Sequence, residues 1–254
     1  GAAAGDADGD GVNNKSEYLG GTDPNNTNSY MRIISCDLSS ETSDDIAIKV
    51  LGGTHSAAGG YTADSIGRRF MVLAANNNAT NSKSAAGGVA DGLVGTNTYT
   101  DSSVANNVYS SRFYNVTATL GGASYTNTEN WGMFSQNRPA SKRYLVCVPV
   151  SYTNDVQANL NSTLGRQLGR GLHASTAAGT NTADYLEYIA ANGAWQQYFW
   201  VTNAGSVYWY DGGAVNLAVT PGKAFWLVRG ANAGLWRTNA IFAGRAFTTQ
   251  TFTN

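Results

Sequence analysis

A mainly β fold, with antiparallel strands in a sandwich or barrel-like arrangement and one short helix over about residues 155–168, is what this sequence predicts. Three observations carry it. The chain has only 13% charged residues, with 30 glycines and 4 prolines, and Asn, Thr, Ser, Ala and Gly dominate the rest, a mixture that favours short strands and turns over long helices. Apolar side chains alternate in several short runs, as one buried sheet face requires. Between such runs stand Asn192-Gly193, Ala204-Gly205 and Asp211-Gly212-Gly213, residue types that accept positive φ in tight hairpins. At 254 residues, the chain can bury a substantial core as one large or two modest β domains.

The first element is a loop, Asp6-Ala7-Asp8-Gly9-Asp10-Gly11-Val12-Asn13-Asn14-Lys15-Ser16-Glu17. Calcium is a hard cation, and twelve-residue loops of this type supply its oxygens from positions 1, 3 and 5, the carbonyl at 7, position 9 and a bidentate carboxylate at 12. Here those are Asp6, Asp8, Asp10, the Val12 carbonyl, Asn14 and Glu17, with Gly11 at position 6 where the chain must turn sharply. A solvated acidic tail would not reproduce every ligand position. Sensor loops come in pairs between long helices; here there is one loop, preceded by residues 1–5, too short for a helix. Residues 17–19 make about one turn before Gly20-Gly21 stops it. The bound Ca2+ is therefore expected to hold structure and not to switch it.

Glu17-Tyr18-Leu19-Gly20-Gly21-Thr22-Asp23-Pro24, followed by Ser29-Tyr30-Met31-Arg32-Ile33, resembles the calcium repeats, related to thrombospondin type 3 repeats, of large secreted bacterial proteins. The resemblance covers about the first 33 residues. It implies that Asp6, Asp8, Asp10, Asn14 and Glu17 are ligands, with Asp23 as a helper, and that a β-rich domain follows. A single repeat stands here, where the family strings several into a rod.

Beyond the loop the pattern predicts strands at 31–36 and 45–51, joined by a polar turn; Ile46, Ile48 and Val50 fall on alternate positions. A third strand is expected at 69–73, then a long loop over 76–98, rich in Gly, Ala, Ser and Asn. Residues 112–120 alternate cleanly, with Tyr114, Val116, Ala118 and Leu120 on one face. A strand at 143–152 follows, where Pro149 marks an edge or bulge. The helix rests on Leu160, Leu164 and Leu168 at four-residue intervals, with Asp155 capping its start and Gly169 and Gly171 closing it. Strands at 185–189, 196–201, 206–210, 216–219 and 224–229 then read as an antiparallel meander. The chain thus divides into a calcium-loop segment, 1–30, a β domain, 31–152, and an aromatic-rich β domain, 153–254, the last two free to pack as one unit. Residues 156–229, through Tyr208-Trp209-Tyr210-Asp211-Gly212 and Pro221-Gly222-Lys223-Ala224-Phe225-Trp226, resemble the C-terminal β domains of secreted proteins from several bacterial groups, which implies fold and not activity.

A net charge of −1 leaves no basic footprint for nucleic acid or anionic membrane. No apolar run approaches the roughly 18 residues of a membrane span. The chain begins at Gly1 without methionine or apolar leader, which reads as a processed product or a fragment. With a loop suited to millimolar calcium, the expected location is extracellular or at the cell surface. Cys36 and Cys147 both lie in apolar strand-like runs and are either small buried hydrophobes or one disulfide; no Cys/His cluster makes them metal ligands. Sequons stand at Asn25, Asn78, Asn115 and Asn161, in a chain where Asn and Thr are abundant enough to produce them by chance.

Nothing marks catalysis. His55 and His173 stand alone in small-residue stretches, and Glu41, Glu129 and Glu187 form no marked pair. There is no Gly-x-Ser-x-Gly elbow and no phosphate loop. Trp195, Trp200, Trp209, Trp226 and Trp236 crowd the last sixty residues; they fill a core poor in Leu and Ile or stack on sugar rings. The sequence therefore favours a non-enzymatic structural subunit of an extracellular filament, pilus-like fibre or surface layer, assembling with copies of itself. A secreted carbohydrate-binding or adhesive β module, with a glycan as partner, is the alternative, and a hydrolase without a recognisable motif comes third.

Overall fold

The computed structural model describes residues 4–39, 45–51, 69–76, 84–89, 96–102, 111–138, 141–148, 150–151, 160–161, 163–169, 172–179, 182–212, 217–220, 222–230 and 239–246. It is mainly β, with strands in three antiparallel sheets and two seven-residue helices among the described residues. The chain divides into two compact units, Gly1–Gly132 and Met133–Asn254.

Unit 1 opens with α1 (Asn14–Gly20), then β1 (Arg32–Leu38), β2 (Ile46–Leu51), β3 (Arg69–Ala75), β4 (Ser84–Val89), β5 (Thr96–Asp101), β6 (Ser111–Leu120) and β7 (Ala123–Thr126). β2 lies between β1 and β5, and β3 between β4 and β6. As the alternation predicts, Ile46, Ile48 and Val50 are buried. They join Met31, Ile33, Cys36, Val72, Tyr114 and Val116 in the apolar interior of this unit.

One expectation fails here. The segment 76–98 is not a loop throughout: it contains β4 and the start of β5. Ala, Gly, Thr and Asn show no period-two contrast, so only pairing to β3 and β2 reveals these strands. β6 is the expected strand, and both of its faces are covered over 114–118. Tyr114, Val116 and Ala118 are buried, but so are Asn115 and Thr117 on the other face. Asn115 Nδ2 donates to the carbonyls of Asn127 and Glu129 at 3.1 and 2.7 Å, and Thr117 Oγ1 donates to the Tyr125 carbonyl at 3.0 Å. The returning chain covers the polar face and satisfies it. Gly121 and Gly122, with φ of 56° and 84°, make the two-residue turn that brings β7 back onto β6.

β8 (Trp131–Asn137) carries the chain past the division. Unit 2 then holds β9 (Arg143–Cys147), β10 (Val150–Ser151), α2 (Thr163–Gly169), β11 (Tyr185–Ile189), β12 (Trp195–Asn203), β13 (Ser206–Tyr210), β14 (Ala224–Val228) and β15 (Asn239–Ala246). The five-stranded sheet has the order β13-β12-β11-β14-β9. The first three strands form the expected hairpins, with Ala204 and Gly205 in the left-handed region. β14 then crosses back to the far side of β11, so the sheet is not a simple meander. Residues 217–220 form no named strand; Leu217 and Val219 are buried and the Leu217 carbonyl accepts from Leu160 N at 3.1 Å.

Trp200 and Trp209 face each other across β12 and β13, with ring centroids 4.9 Å apart, in a core that includes Val146, Leu168, Leu186 and Phe225. The expected helix is present over its last turns as α2, which runs through Gly169 instead of ending before it; Asp155 and Pro149 lie outside the described residues. A Cβ on Gly165 would stand 2.0 Å from the Leu160 carbonyl oxygen, and one on Gly169 would stand 2.5 Å from the Trp200 ring. The Gly165 carbonyl also accepts from Trp209 Nε1 at 2.7 Å. Gly165→Ala is therefore expected to destabilise unit 2 by about 3 kcal/mol, read from urea unfolding followed by tryptophan fluorescence; an unchanged midpoint would contradict this packing. No disulfide joins Cys36 and Cys147: the first is buried, with its Sγ 3.9 Å from the Gly132 carbonyl, and the second is exposed on β9.

Candidate metal centre

The loop before α1 is shaped by its own acidic side chains. Asp6 Oδ1 and Oδ2 accept from the amides of Gly9 and Gly11 at 2.8 and 2.9 Å. Asp8 Oδ1 accepts from Asp10 N at 3.2 Å, and Asp10 Oδ1 from Val12 N at 2.7 Å. Each carboxylate folds the backbone forward around itself, a succession of local turns that a random acidic tail lacks. Gly9 and Gly11 adopt φ of 77° and 89°, which is why glycine is needed at both. The result brings one oxygen from each of Asp6, Asp8 and Asp10 within 4.8 Å of the others.

Glu17 enters from α1. Asn13 caps that helix, its Oδ1 accepting from Ser16 N at 2.9 Å, and Gly21 closes it in the left-handed region. With both ends set, the first turn directs Glu17 inward, where its residue is 0% exposed. Neither of its carboxylate oxygens has a hydrogen-bond partner, and Asp8 Oδ2 and Asp10 Oδ2 are buried in the same condition. Burial first, then the charges of Asp8, Asp10, Asp6 and Asp23, push the Glu17 carboxyl up to about 7. Desolvation likewise raises Asp10, with Asp8 and Asp6 adding to it. Four buried acceptor oxygens without donors, on carboxylates that repel one another, are costly unless a cation joins them. These residues fit such an ion: Asp6, Asp8 and Asp10 can hold a metal, and Glu17 stands beside them.

The remaining candidates are placed less directly. Asn14 Oδ1 accepts from Ala7 N at 3.2 Å, so this side chain braces the start of the loop; position 9 of such loops often reaches the ion through water. Val12 is half-buried. Asp23 Oδ1 accepts from Asn25 N at 3.1 Å while Asp23 N donates to Ser29 Oγ at 2.9 Å. It shapes the next turn and contributes to the field at Glu17, outside the Asp6, Asp8 and Asp10 cluster.

Two residues escaped sequence reasoning. Asn13 was hidden by the ligand spacing around it, although Asn one residue before a helix is a capping signal. Tyr125, on β7, lies beside the centre: burial chiefly, then Asp10, Glu129 and Glu17, push its hydroxyl up to about 12. No local signal links Tyr125 to a loop a hundred residues earlier. Leu19 is buried, and a Cβ on Gly20 would stand 3.2 Å from Met31 Cβ. α1 thus seats on β6 and β7 as part of unit 1.

Among the other singled-out residues, His55, Glu41, Asn78 and Trp236 lie outside the described residues. His173 N donates to Asp184 Oδ2 at 2.8 Å, and Glu187 is paired with Arg143. Two of the sequons are already occupied by structure. Asn115 is buried with its amide donating twice, and Asn161 exchanges two hydrogen bonds with the Trp209 backbone, at 3.2 and 2.9 Å. A glycan on either amide would break these bonds, whereas Asn25 is exposed. Comparison with protein-family models, with curated proteins and with solved structures finds no match to this chain, so the reading of the centre rests on its own geometry.

Proposed function

We propose that the N-terminal loop binds calcium and that the protein is a calcium-clamped structural subunit of an extracellular assembly, a filament, pilus-like fibre or surface layer built with copies of itself. The observation that carries the clamp is Glu17, wholly buried with both oxygens unpartnered and within the field of Asp8, Asp10 and Asp6. Oxygen-only donors select a hard cation, and the spacing of positions 1, 3, 5 and 12 suits the larger, more flexible shell of calcium over magnesium. The ion would tie the leading segment to β6 and β7 through α1. A single loop whose helix is already seated on a sheet favours a fixed clamp over a switch that opens on binding. Low charge, −1 overall, keeps repulsion between closely packed copies small.

Sedimentation and negative-stain electron microscopy in millimolar calcium and in chelator test the assembly. Ordered polymers in calcium that disperse on chelation, and that Asp10→Ala prevents while the β circular-dichroism signal persists, are the expected result. A monodisperse monomer at every protein concentration in calcium would overturn the subunit reading; calorimetric titration with calcium tests the loop separately.

A further inference from the structure

The outward face of the five-stranded sheet carries an arrangement that the calcium clamp does not use. Opposite the core side chains Val146, Leu186, Phe225 and Leu227, the other face of β9, β14, β11 and β12 presents Arg143, Trp226, Glu187, Gln197 and Trp195. The register sets Trp226 directly beside Glu187, and Glu187 beside Gln197, on three successive strands. Trp195 is 54% and Trp226 37% exposed, and on the same face their cross-strand partners Ile189 and Leu145 are exposed as well. Arg143 pairs with Glu187, and its guanidinium lies over both rings, 5.0 Å from the Trp226 centroid and 5.6 Å from that of Trp195. Gln197 Nε2 donates to Glu187 Oε1 at 3.2 Å.

We infer that this face is a binding platform for a neutral oligosaccharide, laid across β14, β11 and β12 with sugar rings against Trp226 and Trp195 and hydroxyls against Arg143, Glu187 and Gln197. Three features select that ligand. Two large indoles left in water on one face cost hydrophobic free energy that a ligand's C–H surface would recover. The polar groups between them offer donors and acceptors above the sheet, which a sugar's hydroxyl edge can meet while its flat face covers a ring. Arg143 and Glu187 cancel, so neither an anion nor a cation gains net attraction there. An apolar protein surface would strip water from that ion pair without replacing its hydrogen bonds, whereas a sugar's hydroxyls replace them. Trp226 and Trp195 stand two strands apart, about 10 Å across the sheet, a span for a short chain of rings and not for a single one. This platform goes beyond the assembly reading and does not depend on it.

The test titrates the full protein with neutral β-linked hexasaccharides of glucose and of xylose, and with trigalacturonate as an anionic counterpart, following tryptophan fluorescence and heat. A neutral hexasaccharide is expected to bind, with Trp195→Ala and Trp226→Ala each weakening affinity about tenfold and Glu187→Gln weakening it as well. Tyr18→Ala, an exposed aromatic on α1, leaves it unchanged. Absence of binding by both neutral probes, preference for trigalacturonate, or affinity unmoved by the two tryptophan substitutions would each overturn the platform. Loss of self-association in Trp195→Ala and Trp226→Ala without any sugar binding would also overturn it, assigning the face to a second copy.

Discussion

Glu17→Gln is expected to melt at a lower temperature than the parent protein in millimolar calcium, and at a higher one in chelator. The crossing of sign is what separates a metal ligand from an ordinary buried residue. With the ion bound, Glu17 would supply the bidentate charge of the loop, and a calcium concentration a hundredfold above Kd would stabilise the fold by about 2.7 kcal/mol. For a unit of this size that is a shift on the order of 10 °C. An amide at this position weakens the ion's hold and loses most of that shift. Without calcium, Glu17 is buried with two unpartnered oxygens near Asp8 and Asp10. A neutral amide removes the repulsion and can donate to a neighbouring carboxylate, recovering roughly 1–3 kcal/mol. Scanning calorimetry in both conditions reads the two signs. Hydrogen exchange locates them: chelation should expose amides in residues 6–30 while β1, β2 and β3 stay protected. Strands that lose protection together with the loop would contradict a local clamp, and a variant less stable in both conditions would contradict the cation.

Asp184→Ala is expected to destabilise unit 2 by about 3–5 kcal/mol. Asp184 is 1% exposed and gathers three donors: His173 N at 2.8 Å, Gly230 N at 2.9 Å and Arg229 Nε at 3.2 Å. It thereby ties the segment before β11 to the end of β14. Arg229 is itself buried and donates through Nη1 to the Arg138 carbonyl. Arg138 is buried too, its guanidinium pushed down to about 9 by burial first and by Arg229 second. Asp184 is thus the carboxylate that the described residues place on Arg229, and its removal takes that charge away from two buried guanidinium groups. Asp184→Asn keeps an acceptor without the charge and should fall between the parent and the alanine variant. Urea unfolding measures both; a loss below about 1 kcal/mol for the alanine variant would show that water reaches these groups.

The parts of this protein legible in sequence are those whose physics is local. The turn at Ala204-Gly205 and the alternation of Ile46, Ile48 and Val50 could be read because the geometry that explains them spans a few residues. The acidic cluster was equally readable, since Asp6, Asp8 and Asp10 fold the backbone that carries them. Asp23 shapes its own turn as Asp8 and Asp10 shape theirs, by accepting from a backbone amide two residues on. β4 shows the limit of periodicity, because a strand of Ala and Gly carries no pattern and exists through its partner.

Tertiary pairing decided the rest. Trp200 and Trp209 are core residues while Trp195 and Trp226 are exposed, although all four sit in similar aromatic strands. Alternation sets Trp195 and Trp200 on opposite faces of β12, but which face is covered depends on what packs on the folded sheet, which no local signal specifies. Sequence by itself determined the acidic loop, the turns and the mainly β class, because carboxylate spacing, positive φ and side-chain alternation act within one short segment. Only the folded structure decided that Glu17 is buried within the field of that loop, that Tyr125 stands in the same field, and that Arg143 reaches Glu187 over two indoles. Those environments are made by strands distant in the chain, and burial is a property of what covers a residue, not of its neighbours in sequence.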